Sequence, residues 1–364
     1  MTSPRSRRAE FWRMGADPVP SARMVELARG FEEDGWDGLA VGEAHGILPD
    51  PYAVLALAAA GTTTLKLGTA VAVPLRHPML AADAMATLHG LAGGRTCFSI
   101  GRGDGAVKVL QQKPMRVADF ERYVARIQGY LRRETVEVDG TVSSMARLFA
   151  IDPSLDAPKP PIDVAATGPR TIELGARLAE SISFSVGADP DRLRHSIELA
   201  RNACTAGGRS FEELELGCYI QMAVTGGADD PAWEAIRGLT LTHARFSGFE
   251  SRPTTKDVSD SEHREYRHAV ATMETVLRAP EGGIVRPRDA EPGELVFYPH
   301  EAASHELIER FAIVGSPERC AERLQEIVDM GFGRIWIGTR GVGVDLHEKN
   351  ARRIAGEVLP LVRR

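Results

Sequence analysis

Apolar positions run along this chain in two alternating rhythms. Short, nearly unbroken apolar runs are followed by stretches in which apolar residues recur every three or four positions. The runs read as buried strands and the stretches as amphipathic helices. Phe11 to Gly15 is the first such strand. Met24, Leu27, Ala28 and Phe31 then share one helical face, with Ser21 as the expected N-cap and Gly35 as the stop. Further strands are predicted at 37–42, 65–73, 94–100, 161–165, 181–186, 216–224 and 334–338. Several intervening helices open at an Asp-Pro or Ser-Pro pair, such as Asp50-Pro51, Asp189-Pro190 and Ser316-Pro317. There the acidic or hydroxyl side chain caps and proline fits the first turn. Eight strand–helix units predict an α/β protein built as a closed (β/α)8 TIM barrel, one domain over residues 1–364. The rhythm fails between Arg245 and His300, where charged residues, Gly and Pro take over. That stretch exceeds an ordinary connection, and a lid over the barrel mouth is the expected use. A shorter insertion is expected at 138–160.

Composition narrows the function. The chain has 364 residues, is 43% hydrophobic and carries a net charge of −6. A barrel-sized core is within reach, and no basic or acidic tract recommends nucleic acid or a membrane surface as partner. Cys97, Cys204, Cys218 and Cys320 are far apart and form no CxxC pair, so a metal site is not expected and reduced thiols are. The arginine-rich N-terminus is followed by no apolar segment, and the longest apolar stretch, near 53–60, is too short to span a bilayer. A cytoplasmic protein is expected.

In a barrel the strand ends converge on one pocket. Glu43 and His45 follow the second strand, and the fourth runs into Gly101, Gly103, Asp104 and Gly105. Glycines there fit two readings: a loop that lets backbone approach a ligand, or a tight strand-to-helix turn. The fifth strand leads through Thr167, Gly168, Pro169 and Arg170 into a helix. Amides at a helix start, a hydroxyl and a guanidinium suit a phosphate; a plain helix start suits the same residues. Glu43, Asp104 and His45 could do acid–base work or be structural. No Ser/His/Asp spacing, HExxH motif or Walker loop is present, and the remaining histidines read as surface or packing residues.

Taken in order, these segments resemble the bacterial luciferase-like superfamily, barrel enzymes that use FMN or the deazaflavin coenzyme F420. Residues 35–43, ending in Glu43, are similar to that family's second strand. Residues 67–74 with His77 and Pro78 are similar to its third, residues 93–96 with 101–104 to its fourth, and residues 165–176 to its phosphate-side segment. The resemblance implies a non-prolyl cis peptide at Ala70–Val71, with Thr69, Ala70 and Val71 against one face of the ring and substrate on the other. It also implies that Gly101, Gly103 and Asp104 pass near the ring or ribityl chain. Thr167, Gly168, Pro169 and Arg170 would hold the phosphate. A homodimer is a further implication. Residues 103–108 with Lys113 and Pro114 look like the methylenetetrahydromethanopterin reductase branch.

One departure steers the function. Luciferases and the sugar-phosphate-oxidising relatives carry a His directly after the acidic residue of strand two; here Ala44 stands there and His45 one position later. A reductase tolerates that change best, because reduced deazaflavin supplies hydride itself. The expectation is therefore an F420-dependent oxidoreductase that transfers hydride to a C=C or C=N bond of a small-molecule or natural-product substrate. Glu43, His45 and Asp104 are its catalytic candidates. An FMN-dependent monooxygenase and a non-catalytic flavin-binding protein are the alternatives.

Overall fold

The computed structural model describes residues 8–15, 21–45, 48–103, 107, 110, 112–156, 158–227, 230, 232, 233, 236, 240, 243, 305–339 and 344–363. The expected lid at 245–300 lies outside them. All eight strands expected from the apolar runs are present: β1 (Glu10–Gly15), β2 (Gly38–Val41), β3 (Lys66–Ala72), β4 (Thr96–Ile100), β7 (Ile162–Ala166), β8 (Ser181–Phe184), β9 (Glu215–Val224) and β11 (Arg334–Gly338). They pair in parallel in that order, and β11 pairs with β1 to close the ring.

Helices pack outside: α1 (Met24–Glu33), α2 (Pro51–Gly61), α3 (Pro78–Leu91), α4 (Val117–Leu131), α6 (Pro169–Leu178), α7 (Pro190–Ala206) and α9 (Pro317–Asp329). The 138–160 insertion continues from a hairpin, β5 (Val136–Val138) and β6 (Thr141–Ser143), into a short helix α5 (Ala146–Ile151). Past the second insertion come α8 (His305–Phe311), a short strand β10 (Ile313–Gly315) that extends the pairing of β9 upward, and later α10 (Val344–Arg353). Three residues were too few to read as β10 from sequence.

Capping follows the sequence with one exception. Asp50 accepts from the amides of Tyr52 and Ala53, Asp189 from those of Asp191 and Arg192, and Ser316 from that of Arg319. Ser21, the expected cap of α1, instead begins a separate helical turn, and α1 starts at Met24 without a side-chain cap. Gly35 has φ +87° and ends α1 as expected. Among the described residues no helix is long and apolar enough to cross a membrane.

The barrel interior explains the glycines of β2 and β3. Trp12, Trp336 and Tyr219 sit in register on β1, β11 and β9. Tyr219 stacks on Trp336 with centroids 5.5 Å apart, and Trp12 lies 4.8 Å from Trp336. Three large rings at one level leave no width for side chains opposite. A Cβ on Gly38 would fall 2.3 Å from the Trp12 ring, and one on Gly68 2.1 Å from the Cys97 carbonyl oxygen.

Outside the ring, His243 is buried beside Gly187 and Phe311, and its carbonyl accepts from Arg192 at 3.2 Å. Burial, helped by the Arg192 charge, pushes its imidazole down to about 4 from 6.5. The unfolded chain therefore binds a proton near pH 6.5 that the folded chain refuses until about pH 4. Stability is expected to hold above that window and to fall as pH drops through it, by about 3 kcal/mol from this residue. Urea unfolding of wild type and His243→Gln between pH 7 and pH 4 checks this, with the variant expected to show the flatter profile.

Candidate active site

Alternate residues on each barrel strand face inward. Above the aromatic floor of Trp12, Tyr219 and Trp336, β1 and β9 carry Met14 and Gln221 at the next inward positions, and β2, β3, β4, β7 and β11 carry Gly42, Ala70, Gly101, Ala165 and Gly338. None of the latter five has a side chain larger than methyl. Gly42, Ala70 and Ala165 are partly exposed, whereas the floor is buried. The carboxyl end of the barrel is thus a basin lined by small residues along β2, β3, β4 and β7, over an aromatic floor.

The Ala70–Val71 peptide bond on its rim is cis, and the β3–β4 register shifts between Thr69 and Ala72 at that point. Gly101 is bound to β3 by its amide, which donates to the Ala72 carbonyl at 2.9 Å. A Cβ on Gly101 would sit 2.9 Å from Val71 Cγ2, so backbone closeness to β3, rather than a turn alone, requires glycine here. Gly103 has φ +90° and turns the chain behind it.

Glu43 follows β2 and enters the basin wall. Its side chain is 1% exposed. Oε2 accepts from the Val73 amide at 2.8 Å, and Oε1 lies 3.4 Å from Arg76 Nε. Arg76 also pairs with Asp50 and stacks over the Tyr52 ring at 4.7 Å. One backbone amide and a guanidinium make Glu43 a fixed anionic acceptor. Burial and then the Glu43 charge push the phenols of Tyr52 and Tyr123 up, so both stay protonated.

His45 reaches back to the same carboxylate. Its Nε2 is 3.6 Å from Glu43 Oε1, shielded from solvent and without a hydrogen-bond partner among the described residues. About a third of the His45 side chain is exposed (34%). Ala44 lies between them, and the turn after β2 brings both side chains together despite their spacing.

The phosphate-side segment lies at the end of β7. Gly168 is the N-cap of α6, and no side chain caps that end. A Cβ built on Gly168 meets nothing within 4 Å, and Pro169 and Arg170 are exposed. An uncapped helix start facing open space can take an anion. Thr167 is partly buried beside it.

The structure brings Glu43 and His45 together at the end of β2, next to Val71 and Gly101 at the ends of β3 and β4, with residues 167–170 one strand further round. Thr69 is buried, and its hydroxyl donates to the Ser99 carbonyl at 2.8 Å, which commits it to the wall beneath Ala70. Asp104 lies outside the described residues. Sequence reasoning missed Arg76, which pairs with Glu43, and Tyr52, on whose ring Arg76 stacks. The available signal was that Arg76 immediately precedes the His77-Pro78 exit of strand three.

Beneath the floor lies a second polar layer. Asp163 accepts from the hydroxyls of Ser99, Ser181 and Ser183, and Ser99 in turn accepts from the Tyr219 hydroxyl at 2.6 Å. Arg334 donates to Ser181 at 3.2 Å and pairs with Glu215 at 2.8 Å, its guanidinium 5.4 and 5.6 Å from the Trp12 and Trp336 rings. Burial alone would raise the Glu10 carboxyl; Arg334 and Lys66 beside it outweigh that and hold it below the usual range. The floor of the basin is thus tied through hydroxyls to a charged layer below.

The chain is similar to known proteins in sequence and in fold. The sequence model of the luciferase-like monooxygenase family matches residues 8–334. The 5,10-methylenetetrahydromethanopterin reductase of Methanolobus tindarius is 24% identical over 331 residues, covering 89% of this chain and 91% of that protein. The F420-dependent glucose-6-phosphate dehydrogenase of Beutenbergia cavernae is 31% identical over 250 residues, covering 63% of this chain and 73% of that one. Among solved structures, the coenzyme F420 dependent tetrahydromethanopterin reductase from Methanopyrus kandleri superposes with a TM-score of 0.73 at 17% identity, covering 98% of this chain and all of that one (100%). An F420-dependent secondary alcohol dehydrogenase, solved with an F420-acetone adduct, gives 0.70 at 16% identity, covering 98% and 100%.

Proposed function

Because the chain belongs to the luciferase-like monooxygenase family, we propose that it is an oxidoreductase that binds coenzyme F420 and transfers hydride to a C=C or C=N bond of a small-molecule substrate. The observation that carries this reading is the Glu43–His45 pair at the basin wall, with Ala44 between them. The relative named as an F420-dependent glucose-6-phosphate dehydrogenase supports the choice of cofactor. The chain's own residues fit such a group: Gly42, Ala70 and Ala165 are small and partly exposed at the strand ends, Gln221 Oε1 is buried there without a partner among the described residues, and the α6 start leaves amides for a phosphate.

When bound, F420 supplies the hydride. The protein's part is to hold ring and substrate in contact and to move one proton. Glu43, pinned by Arg76 and the Val73 amide, keeps His45 oriented. His45, partly exposed at the basin, gives its proton to the substrate atom that does not receive hydride. Ala70 and Val71 would lie beside the ring, Gly101 and Gly103 would let the chain pass close to it, and residues 167–170 would hold the phosphate. Asp104 completes the catalytic set as a group that orients the ring or a substrate amine.

Titration with F420 and with FMN, followed by tryptophan and cofactor fluorescence, tests the reading. F420 is expected to bind at least about tenfold more tightly than FMN, a difference of about 1.4 kcal/mol. Tighter FMN binding with oxygen uptake would replace it with the monooxygenase alternative. Binding of neither would overturn the cofactor assignment.

A further inference from the structure

The basin has one large polar side chain in its inner layer. Gln221 lies on β9 two residues beyond Tyr219, so its side chain faces inward one level above the aromatic floor, at the height of Gly338 in the adjoining strand. It is 3% exposed, and its Oε1 is shielded from solvent with no hydrogen-bond partner among the described residues. A carbonyl oxygen in that state is costly: replacing the whole carboxamide with an apolar group of the same shape would remove the penalty. Gly338 makes room for it, because a Cβ there would fall 2.3 Å from Oε1 and 2.8 Å from Nε2. Every other inner position of that level on the strands flanking the cis peptide is Gly or Ala. A core built only for packing has no use for a glutamine here with a glycine cleared beside it.

We propose that Gln221 is a cofactor-contact residue, whose Oε1 accepts a hydrogen bond from the imide N–H of a flavin or deazaflavin ring lying in the basin. The inference rests on the reading of the basin as the F420 site. The two ring systems share a pyrimidinedione edge that alternates C=O, N–H and C=O. A carboxamide, with one acceptor and one donor group, matches that edge side by side. Gln221 therefore fixes which edge of the ring enters over Tyr219, and with it which ring atom faces Glu43 and His45.

Gln221→Met keeps the length and volume and removes the hydrogen bond. Gly338→Ala leaves Gln221 in place chemically but displaces its carboxamide, the movable end of a flexible side chain. Wild type and both variants are titrated with F420 and with FMN by fluorescence, their thermal midpoints are measured without cofactor, and the visible band of the bound cofactor is recorded. The expected result is about a tenfold weaker Kd in both variants. The bound band should shift in Gln221→Met, whose cofactor-free midpoint should be no lower than that of wild type. A packing role would give the reverse, a lower midpoint with unchanged Kd. If wild type binds a cofactor and both variants bind it equally well with an unshifted band, the Gln221 assignment is overturned while the F420 reading stands. If wild type binds neither cofactor, both fall together.

Discussion

Glu43→Gln is expected to lower turnover about a hundredfold while leaving cofactor affinity within a factor of about three. Glutamine keeps the size of the side chain and an oxygen for the Val73 amide, which Glu43 accepts at 2.8 Å. What it removes is the charge that Arg76 neutralises from one side and that His45 faces from the other at 3.6 Å. Without that carboxylate His45 loses the anionic partner that orients its ring, and the proton-transfer step loses a positioned donor. His45→Ala is expected to fall by a similar factor and to regain part of the lost rate with added imidazole. The two residues act as one device, so the double variant should be little worse than either single one. Steady-state kinetics with F420 binding measured in parallel separates the effects. A loss of F420 affinity that matches the loss of turnover would make Glu43 a binding residue instead.

Arg334→Leu is expected to cost about 3–5 kcal/mol of folding stability, the largest single effect anticipated outside the basin. The side chain is 6% exposed and stands among Glu10, Glu215 and the hydroxyl layer of Asp163. Removing its charge leaves carboxylates at the barrel base with no buried cation between them. It also removes the guanidinium that lies against both Trp12 and Trp336. Urea unfolding measures the loss. Asp163→Asn placed on Arg334→Leu should recover part of it, since the fully buried carboxyl that most needs a nearby cation is then neutral. Equal costs for Arg334→Leu with and without Asp163→Asn would show that the two do not interact.

Both variants act on side chains whose partners come from distant strands, and that divides what could be read from the chain from what could not. Strand and helix positions were legible because they depend on local periodicity: the Asp50-Pro51 and Asp189-Pro190 starts, the Gly35 stop and the eight apolar runs each carry their signal within a few residues. Closure of the ring followed, because repeated short strand–helix connections leave few other topologies. Ser21 failed as a cap because it opens a separate helical turn of its own, Ser21–Arg23, and α1 begins only at Met24.

The sequence by itself thus determined the barrel, the strand ends where the basin would form, Glu43 as an acidic group there, and the resemblance that placed the cis bond at Ala70–Val71. Tertiary structure alone decided the state of those groups. Arg76 meets Glu43 across 33 residues and Tyr219 meets Ser99 across 120. Gln221 meets Gly338 because β9 and β11 are neighbours in space. Such contacts have no local signal: ion pairing, an unpartnered buried oxygen and the width left by a glycine all depend on which strands the closed ring sets side by side, and a sequence pattern describes one strand at a time.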